Sequence, residues 1–155
     1  AGMLNTVWLV IAAMTFGGVM ECSGMLKSIA DSVIKRVKTT GSLIASTAGT
    51  CIFFNFTASD QYLSIVVPGR MYSDIYKKMN LAPENLSRTL EDSGTVTSVL
   101  VPWNTCGAFH ATVLSINPLD FIPYCFFNII SPIMTITFGF LNLKIKKLVE
   151  GGSKF

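Results

Sequence analysis

The sequence predicts an all-α integral membrane fold that contains a re-entrant hairpin and a discontinuous transmembrane helix. Three observations carry this expectation. Half of the 155 residues are hydrophobic and only 14% are charged, against roughly 25% charged in soluble domains; mean hydropathy is +0.53. The runs Ala1–Met20, Thr39–Ser59, Ser93–Leu119 and Phe121–Leu143 contain no Asp, Glu, Lys or Arg, and each is comparable to the ~20 residues that cross a bilayer. Two apolar stretches are interrupted, one by Asn55-Phe-Thr-Ala-Ser-Asp-Gln61 and one by Val101-Pro-Trp-Asn-Thr-Cys-Gly107. In hydrocarbon a freed backbone group is costly, so such breaks persist only where protein or a water-filled cavity satisfies them.

Taken in order, a first span is expected over 3–25, with Gly17, Gly18 and Gly24 as a small-residue patch for close helix contact and Glu21 near its end. A basic connector follows, with Lys27, Lys35, Arg36 and Lys38 around Asp31. Residues 41–69 are expected to form the re-entrant hairpin. Gly41, Ala45 and Gly49 make one small ridge and Ser42, Ser46 and Thr50 another, the polar knot is the tip, and Pro68-Gly69-Arg70 closes the second arm. Pro83 followed by Glu84 marks a helix start, and Leu86 and Leu90 share one face, so 82–92 reads as a helix lying on the membrane surface. The discontinuous span covers 93–117, broken at Pro102 and Gly107 because proline removes a backbone donor and glycine loosens the chain. After the turn 117–120 comes a last span, 121–143, with a kink expected at Pro132. The whole of 1–155 reads as a single transmembrane unit. Because it does not begin with Met, it is expected to be the C-terminal part of a longer protein.

Charge chooses between a hairpin and a single crossing for 41–69. With a hairpin, all twelve basic residues, including Arg70, Lys77, Lys78, Arg88, Lys144, Lys146 and Lys147, fall on one side of the membrane. Lys and Arg beside span ends favour the cytoplasm, so the C-terminus is expected to be cytoplasmic. At 1.5 Å rise per residue, Asp60 lies about 15 Å in from Arg70, and Asn104 about 15–18 Å in from Ser93. Both estimates reach the middle of a ~30 Å hydrocarbon core. Substrate and ion sites of transporters form at that depth, at interrupted helices. The unit therefore reads as half of a transporter.

Asp60 is the sharpest candidate, since ionisable groups at mid-membrane depth are costly and line ion or proton pathways. A helix-capping role is its competitor. Asn55, Thr57, Ser59 and the neighbouring Gln61 add hard oxygen ligands suited to small cations, and Asn104 and Thr105 add more from the facing break. Asp92 is placed either at the pathway entrance or as a cap of a helix beginning near Ser93. Glu21 reads as an interfacial carboxylate or a proton-carrying group, and His110, the only histidine, as structural or proton-coupling. Thr95 and Thr97 are expected to bond back to their own helix. Cys22, Cys51, Cys106 and Cys125 form no Cys-x-x-Cys pair, which argues against a disulfide framework or zinc site. Asn85-Leu-Ser87 matches the weak N-glycosylation pattern. No nucleophile–base pair or phosphate loop is present, so the chain is not expected to be an enzyme. Its basic residues flank apolar runs, which points away from nucleic acid.

The runs Asp60-Gln-Tyr-Leu-Ser-Ile-Val-Val-Pro-Gly-Arg-Met71, Asn85-Leu-Ser-Arg-Thr-Leu-Glu-Asp-Ser-Gly-Thr-Val-Thr97 and Pro102-Trp-Asn-Thr-Cys-Gly-Ala108, with Gly17-Gly-Val-Met-Glu21, resemble the NhaC family of bacterial sodium/proton antiporters. The resemblance covers essentially the whole chain and corresponds to the C-terminal part of such a transporter. It implies exchange of cytoplasmic sodium for external protons at the bacterial inner membrane, with these two ions as transported species and no cofactor. It also implies inverted repeats, so that the partners would be the lipid bilayer and the N-terminal half of the same transporter, with a homo-oligomer left open. Relatives that couple sodium or protons to malate, lactate or amino acids leave an organic-solute transporter as the alternative.

Overall fold

In the computed structural model, the described residues are 39–57 and 60–148, with Trp8, Thr15, Val19, Cys22–Gly24 and Val37. They are helical, with no strand among them and one isolated antiparallel bridge between Leu81 and Lys147. The expected span 3–25, including Glu21, and the connector that follows lie outside the described residues apart from those isolated positions, as do Ala58 and Ser59.

Helix α1 covers Thr40–Thr57. Thr39 starts it by accepting from the Ser42 N–H at 3.2 Å while the Ser42 hydroxyl oxygen accepts from the Thr39 N–H, the reciprocal arrangement of a capping box. Its buried residues Gly41, Ile44, Ala48, Cys51 and Asn55 recur every three or four positions and so form one stripe. Helix α2, Gln61–Lys78, runs antiparallel to it. Tyr72 reaches the hydroxyls of Ser46 and Thr50 at 3.1 and 2.9 Å, and Tyr76 that of Thr47 at 3.4 Å. The Ser/Thr ridge of α1 thus receives the tyrosines of α2.

The second arm does not close at Pro68-Gly69-Arg70. Pro68 sits inside α2, which continues to Lys78. The ring frees only the Ser64 carbonyl, and burial of Met71, Tyr72, Ile75 and Tyr76 favours continuing the helix. The end comes at Asn80, whose left-handed φ of 54° lets the Leu81 N–H bond back to the Tyr76 carbonyl at 2.9 Å.

Helix α3, Pro83–Leu90, begins at its proline as expected. No boundary exists at Ser93: a π-helical stretch, Glu91–Thr95, joins α3 to α4, Val96–Ser98. The expected surface helix and the first half of the broken span are one rod of about 24 Å. Its small residue Gly94 explains the close packing: a Cβ there would lie 3.0 Å from Ile65 and 3.3 Å from the carbonyl that Pro68 frees.

The chain breaks over 99–104. Helix α5, Thr105–Leu114, follows and ends at left-handed Ser115. Helix α6, Pro118–Phe121, and a 3₁₀ turn, Ile122–Tyr124, lead to α7, Phe126–Phe140, which contains Pro132. Helix α7 runs antiparallel to the rod: Asn128 donates to the Val96 carbonyl at 2.7 Å and Arg88 lies 6.0 Å from the Phe138 ring centre. Against α1 it packs through Gly139 on Ile44 and Gly41 on Phe140. The tail returns to the start of the rod. Asn85, only 9% exposed, donates to the Lys146 carbonyl at 2.6 Å and accepts from its N–H at 3.1 Å. Both ends of that amide are engaged, which sets it against the glycosylation pattern.

Thr40, Lys78, Pro83 and Phe140 therefore gather at one end, and the hairpin tip and the helix break at the other. Among the described residues no single helix is long and apolar enough to cross a membrane; Pro118–Tyr124 together with Phe126–Phe140 reach that length and composition, bent by 55°.

Candidate functional site

The tip and the break meet through two asparagines. Asn55, in the last turn of α1, and Asn104, the residue before α5, are both fully buried. Asn104 Nδ2 donates to the Asn55 side-chain and main-chain oxygens at 3.2 and 3.3 Å. Asn55 Nδ2 donates to the Gly94 carbonyl at 2.8 Å and to Thr97 Oγ1 at 3.0 Å. Asn104 Oδ1 accepts from the Cys106 N–H at 3.1 Å and the Thr105 hydroxyl at 3.3 Å, which makes Asn104 the N-cap of α5. Beside this pair the Trp103 indole donates to the Phe56 carbonyl at 3.0 Å, and the two rings meet edge to face.

The break itself is a compact turn. The Leu100 and Val101 N–H groups bond back to Thr97 and Ser98, and the Asn104 N–H to the Val101 carbonyl at 3.0 Å. Helix α5 starts directly over that carbonyl, because a Cβ on Gly107 would lie 2.3 Å from the Val101 oxygen. Glycine is required there.

Asp60 caps α2. Its Oδ1 accepts from the Tyr62 and Leu63 N–H groups at 2.7 and 3.2 Å, where the helix dipole favours a negative charge. Capping does not use the whole carboxylate. Asp60 is 4% exposed, and its Oδ2 is buried without a hydrogen-bond partner among the described residues, as are Ser93 Oγ and Thr95 Oγ1. Buried oxygens left without a donor are costly and are the atoms a cation or an added proton would satisfy.

Of the other expected ligands, Ser59 and Glu21 lie outside the described residues. Thr57 is exposed and its hydroxyl donates to its own helix at Phe53, and Thr105 is exposed with its hydroxyl turned to Asn104. Asp92 caps no helix, because the rod passes through it without a boundary. It lies in the π-helical stretch, where its carboxylate accepts from Thr135 and, at 3.4 Å, from Ser131 of α7, with Arg88 Nε 3.6 Å away. Thr97 does bond back to Ser93, and it also receives Asn55. His110 is exposed and its Nδ1 lies 2.8 Å from the Cys106 carbonyl. A carbonyl only accepts, so Nδ1 is the donor in this contact.

Gln61, Ser98 and Cys106 complete the junction: Gln61 Oε1 accepts from the Cys106 thiol and from Ser98 Oγ at 3.4 Å. Polar type and adjacency to the break were their signals in the sequence; the convergence is tertiary. They border a cleft of about 570 Å³ that Thr95, His110, Tyr124, Cys125 and Asn128 also line, with no Asp, Glu, Lys or Arg among the described residues that line it. Among the described residues no group of His, Cys, Asp and Glu could hold a metal ion.

Residues 1–143 match the model of the Na+/H+ antiporter family. The chain is 41% identical over 94% of its length to the Na+/H+ antiporter NhaC of Alkalihalophilus pseudofirmus, covering 32% of that protein. It is 38% identical over 90% of its length to NhaC of Bacillus subtilis, covering 31%. It is 37% identical over 93% of its length to the arginine/ornithine antiporter ArcD of Halobacterium salinarum, covering 30%. The chain thus spans about a third of the length of these relatives. No solved structure matches it.

Proposed function

Because this chain belongs to the Na+/H+ antiporter family, we propose that the intact protein exchanges sodium for protons across the bacterial inner membrane, and that this segment carries one side of its ion site. In this reading α1 and α2 form a re-entrant hairpin. The rod, the break and α5 form the discontinuous helix, and the C-terminal tail is cytoplasmic. The observation that carries it is the buried Asp60 Oδ2, without a partner among the described residues, at a hairpin tip joined to a helix break by Asn55 and Asn104. Longer hairpin arms leave the depth argument intact: Asp60 remains ten helical residues from Arg70, about 15 Å, and the segment beyond Arg70 extends out of the lipid. The grouping of Lys77 and Lys78 with Lys146 and Lys147 around the Leu81–Lys147 bridge supports a single basic face.

Asp60 would hold sodium and a proton in turn. Oδ2 takes the cation, with the neutral oxygens of Asn55, Asn104, Thr57, Ser59 and Thr105 as candidate companions, and the proton leaves as sodium binds. Asp92, Glu21 and His110 are candidates for the pathway and for proton coupling. The partners in this reading are the lipid bilayer and the N-terminal half of the same transporter.

Asp60→Asn tests this in the full-length protein, because Asn caps helices as well as Asp. In proteoliposomes the variant should fold and lose sodium-dependent proton flux, whereas full flux would remove Asp60 from the mechanism. The size of the cleft favours one second reading, transport of an organic solute. The uncharged lining that the described residues give it suits a zwitterion better than a dicarboxylate. Uptake of labelled amino acid or malate without sodium/proton exchange would establish it.

A further inference from the structure

We propose that the cavity between Arg88 and Lys144 binds the phosphate of an anionic phospholipid headgroup at the basic end of the bundle. The cavity lies between the rod, α7 and the tail, with Asn85, Arg88, Thr135, Phe138, Lys144 and Ile145 in its wall. It is a half-open recess of about 20 Å³. That is room for one water-sized group, hence for one phosphate oxygen with the rest of the headgroup outside.

Charge points to an anion. Lys146 is held by Glu84 at 2.5 Å and Lys77 by Asp74 at 3.9 Å. Lys144 makes no ion pair among the described residues. Arg88 is ion-paired with Asp92, Nε lying 3.6 Å from the carboxylate, a separation too long for a hydrogen bond. That carboxylate already accepts from Ser131 and Thr135. A guanidinium has five donors, so Arg88 keeps donors for an oxygen at the cavity mouth. An Arg and a Lys across a water-sized recess suit phosphate.

The surface beside the cavity points to a lipid as the source. Phe126, Ile130, Ile133, Met134 and Phe140 are exposed along one face of α7, and Leu141 and Leu143 continue it to the cavity. No charged residue occurs from Phe121 to Leu143. The uncharged stripe stops at Lys144, so an acyl chain lying along α7 places its headgroup beside Lys144 and Arg88. Basic recesses between helices at the cytoplasmic level recognise lipid phosphates in this way.

The test uses the full-length protein in phosphatidylcholine vesicles containing spin-labelled phosphatidylglycerol, reading the motionally restricted lipid fraction. At ~1 kcal/mol per basic residue, Arg88→Gln and Lys144→Gln should each lower relative affinity about fivefold, and Arg88→Lys should retain it. Lys78→Gln, exposed at the same end, should leave it unchanged. Affinity unaltered in both Gln variants, or an equal loss in Lys78→Gln, would overturn the site. If Arg88→Gln does not fold, the exposed Lys144→Gln decides alone. Displacement of the labelled lipid by excess inorganic phosphate would assign the cavity to a free anion and overturn the lipid proposal. This readout is independent of which ion or solute is carried, so transport can fail with the lipid site intact, and the reverse.

Discussion

Truncating Asn104 should separate its two tasks. Asn104→Ala removes the acceptor of the Cys106 N–H at 3.1 Å, the cap of α5, worth ~1 kcal/mol. It also removes the donor to Asn55 Oδ1 at 3.2 Å and Asn55 O at 3.3 Å. Those oxygens are buried, and leaving them without a donor costs about 1–3 kcal/mol. The expected loss is therefore ~2–4 kcal/mol. Asn55→Ala should cost a similar amount, since it removes the bonds to the Gly94 carbonyl at 2.8 Å and Thr97 Oγ1 at 3.0 Å and takes one acceptor from the buried Asn104 Nδ2. The double variant removes the shared bond once, so the two losses should fall short of additivity by about 1 kcal/mol. Denaturant unfolding of the full-length protein in detergent, followed by circular dichroism, measures all four corners of the cycle. Asn104→Asp adds a control: it keeps the cap and sets a second oxygen against Asn55 Oδ1, so it should remain destabilised. Additivity within ~0.3 kcal/mol, or a neutral Asn104→Asp, would refute a tip held to the break by this pair.

Gly107→Ala should destabilise the protein by ~1–3 kcal/mol, because the added methyl meets a backbone oxygen that cannot rotate away; an unchanged thermal midpoint would show that α5 does not sit on the Val101 carbonyl. Asn85→Ala should free the tail, which its amide holds at 2.6 and 3.1 Å, and faster amide exchange at Lys146 and Leu148 would register it; unchanged exchange would remove Asn85 as the clamp. A maleimide should modify Cys106, half-buried at the cleft, and leave fully buried Cys51 intact, with mass spectrometry of the digest as the readout. Equal labelling would contradict the packing of α1 on α2.

Features decided within a few residues were legible beforehand. Pro83 opens a helix and Pro102 with Gly107 breaks one, because a missing donor, a fixed φ and a clash with the preceding turn act locally. The same reasoning failed at Pro68. There the local cost of proline is outweighed by burial of Met71, Tyr72, Ile75 and Tyr76 in the core. It failed at Ser93 because the packing of Gly94 against Ile65 carries the helix through. Adjacency in sequence groups Thr57 with Asn55, yet two positions along a helix turn a side chain by about 200°, and of the two Asn55 faces the rod.

From its own residues, the sequence determined an apolar, helical chain with polar interruptions after Asn55 and at Pro102, a carboxylate at Asp60, and its basic residues beside the ends of apolar runs. Hydropathy, caps and breaks depend on near neighbours, so they can be read along one dimension. Tertiary structure alone decided that Asn55 and Asn104, 49 positions apart, would share a hydrogen bond. It also decided that Gln61 would meet Cys106, and that Asp92 would be committed to α7 instead of a helix start. Which buried oxygen finds a donor depends on how three helices pack at once, and no spacing along the chain encodes that.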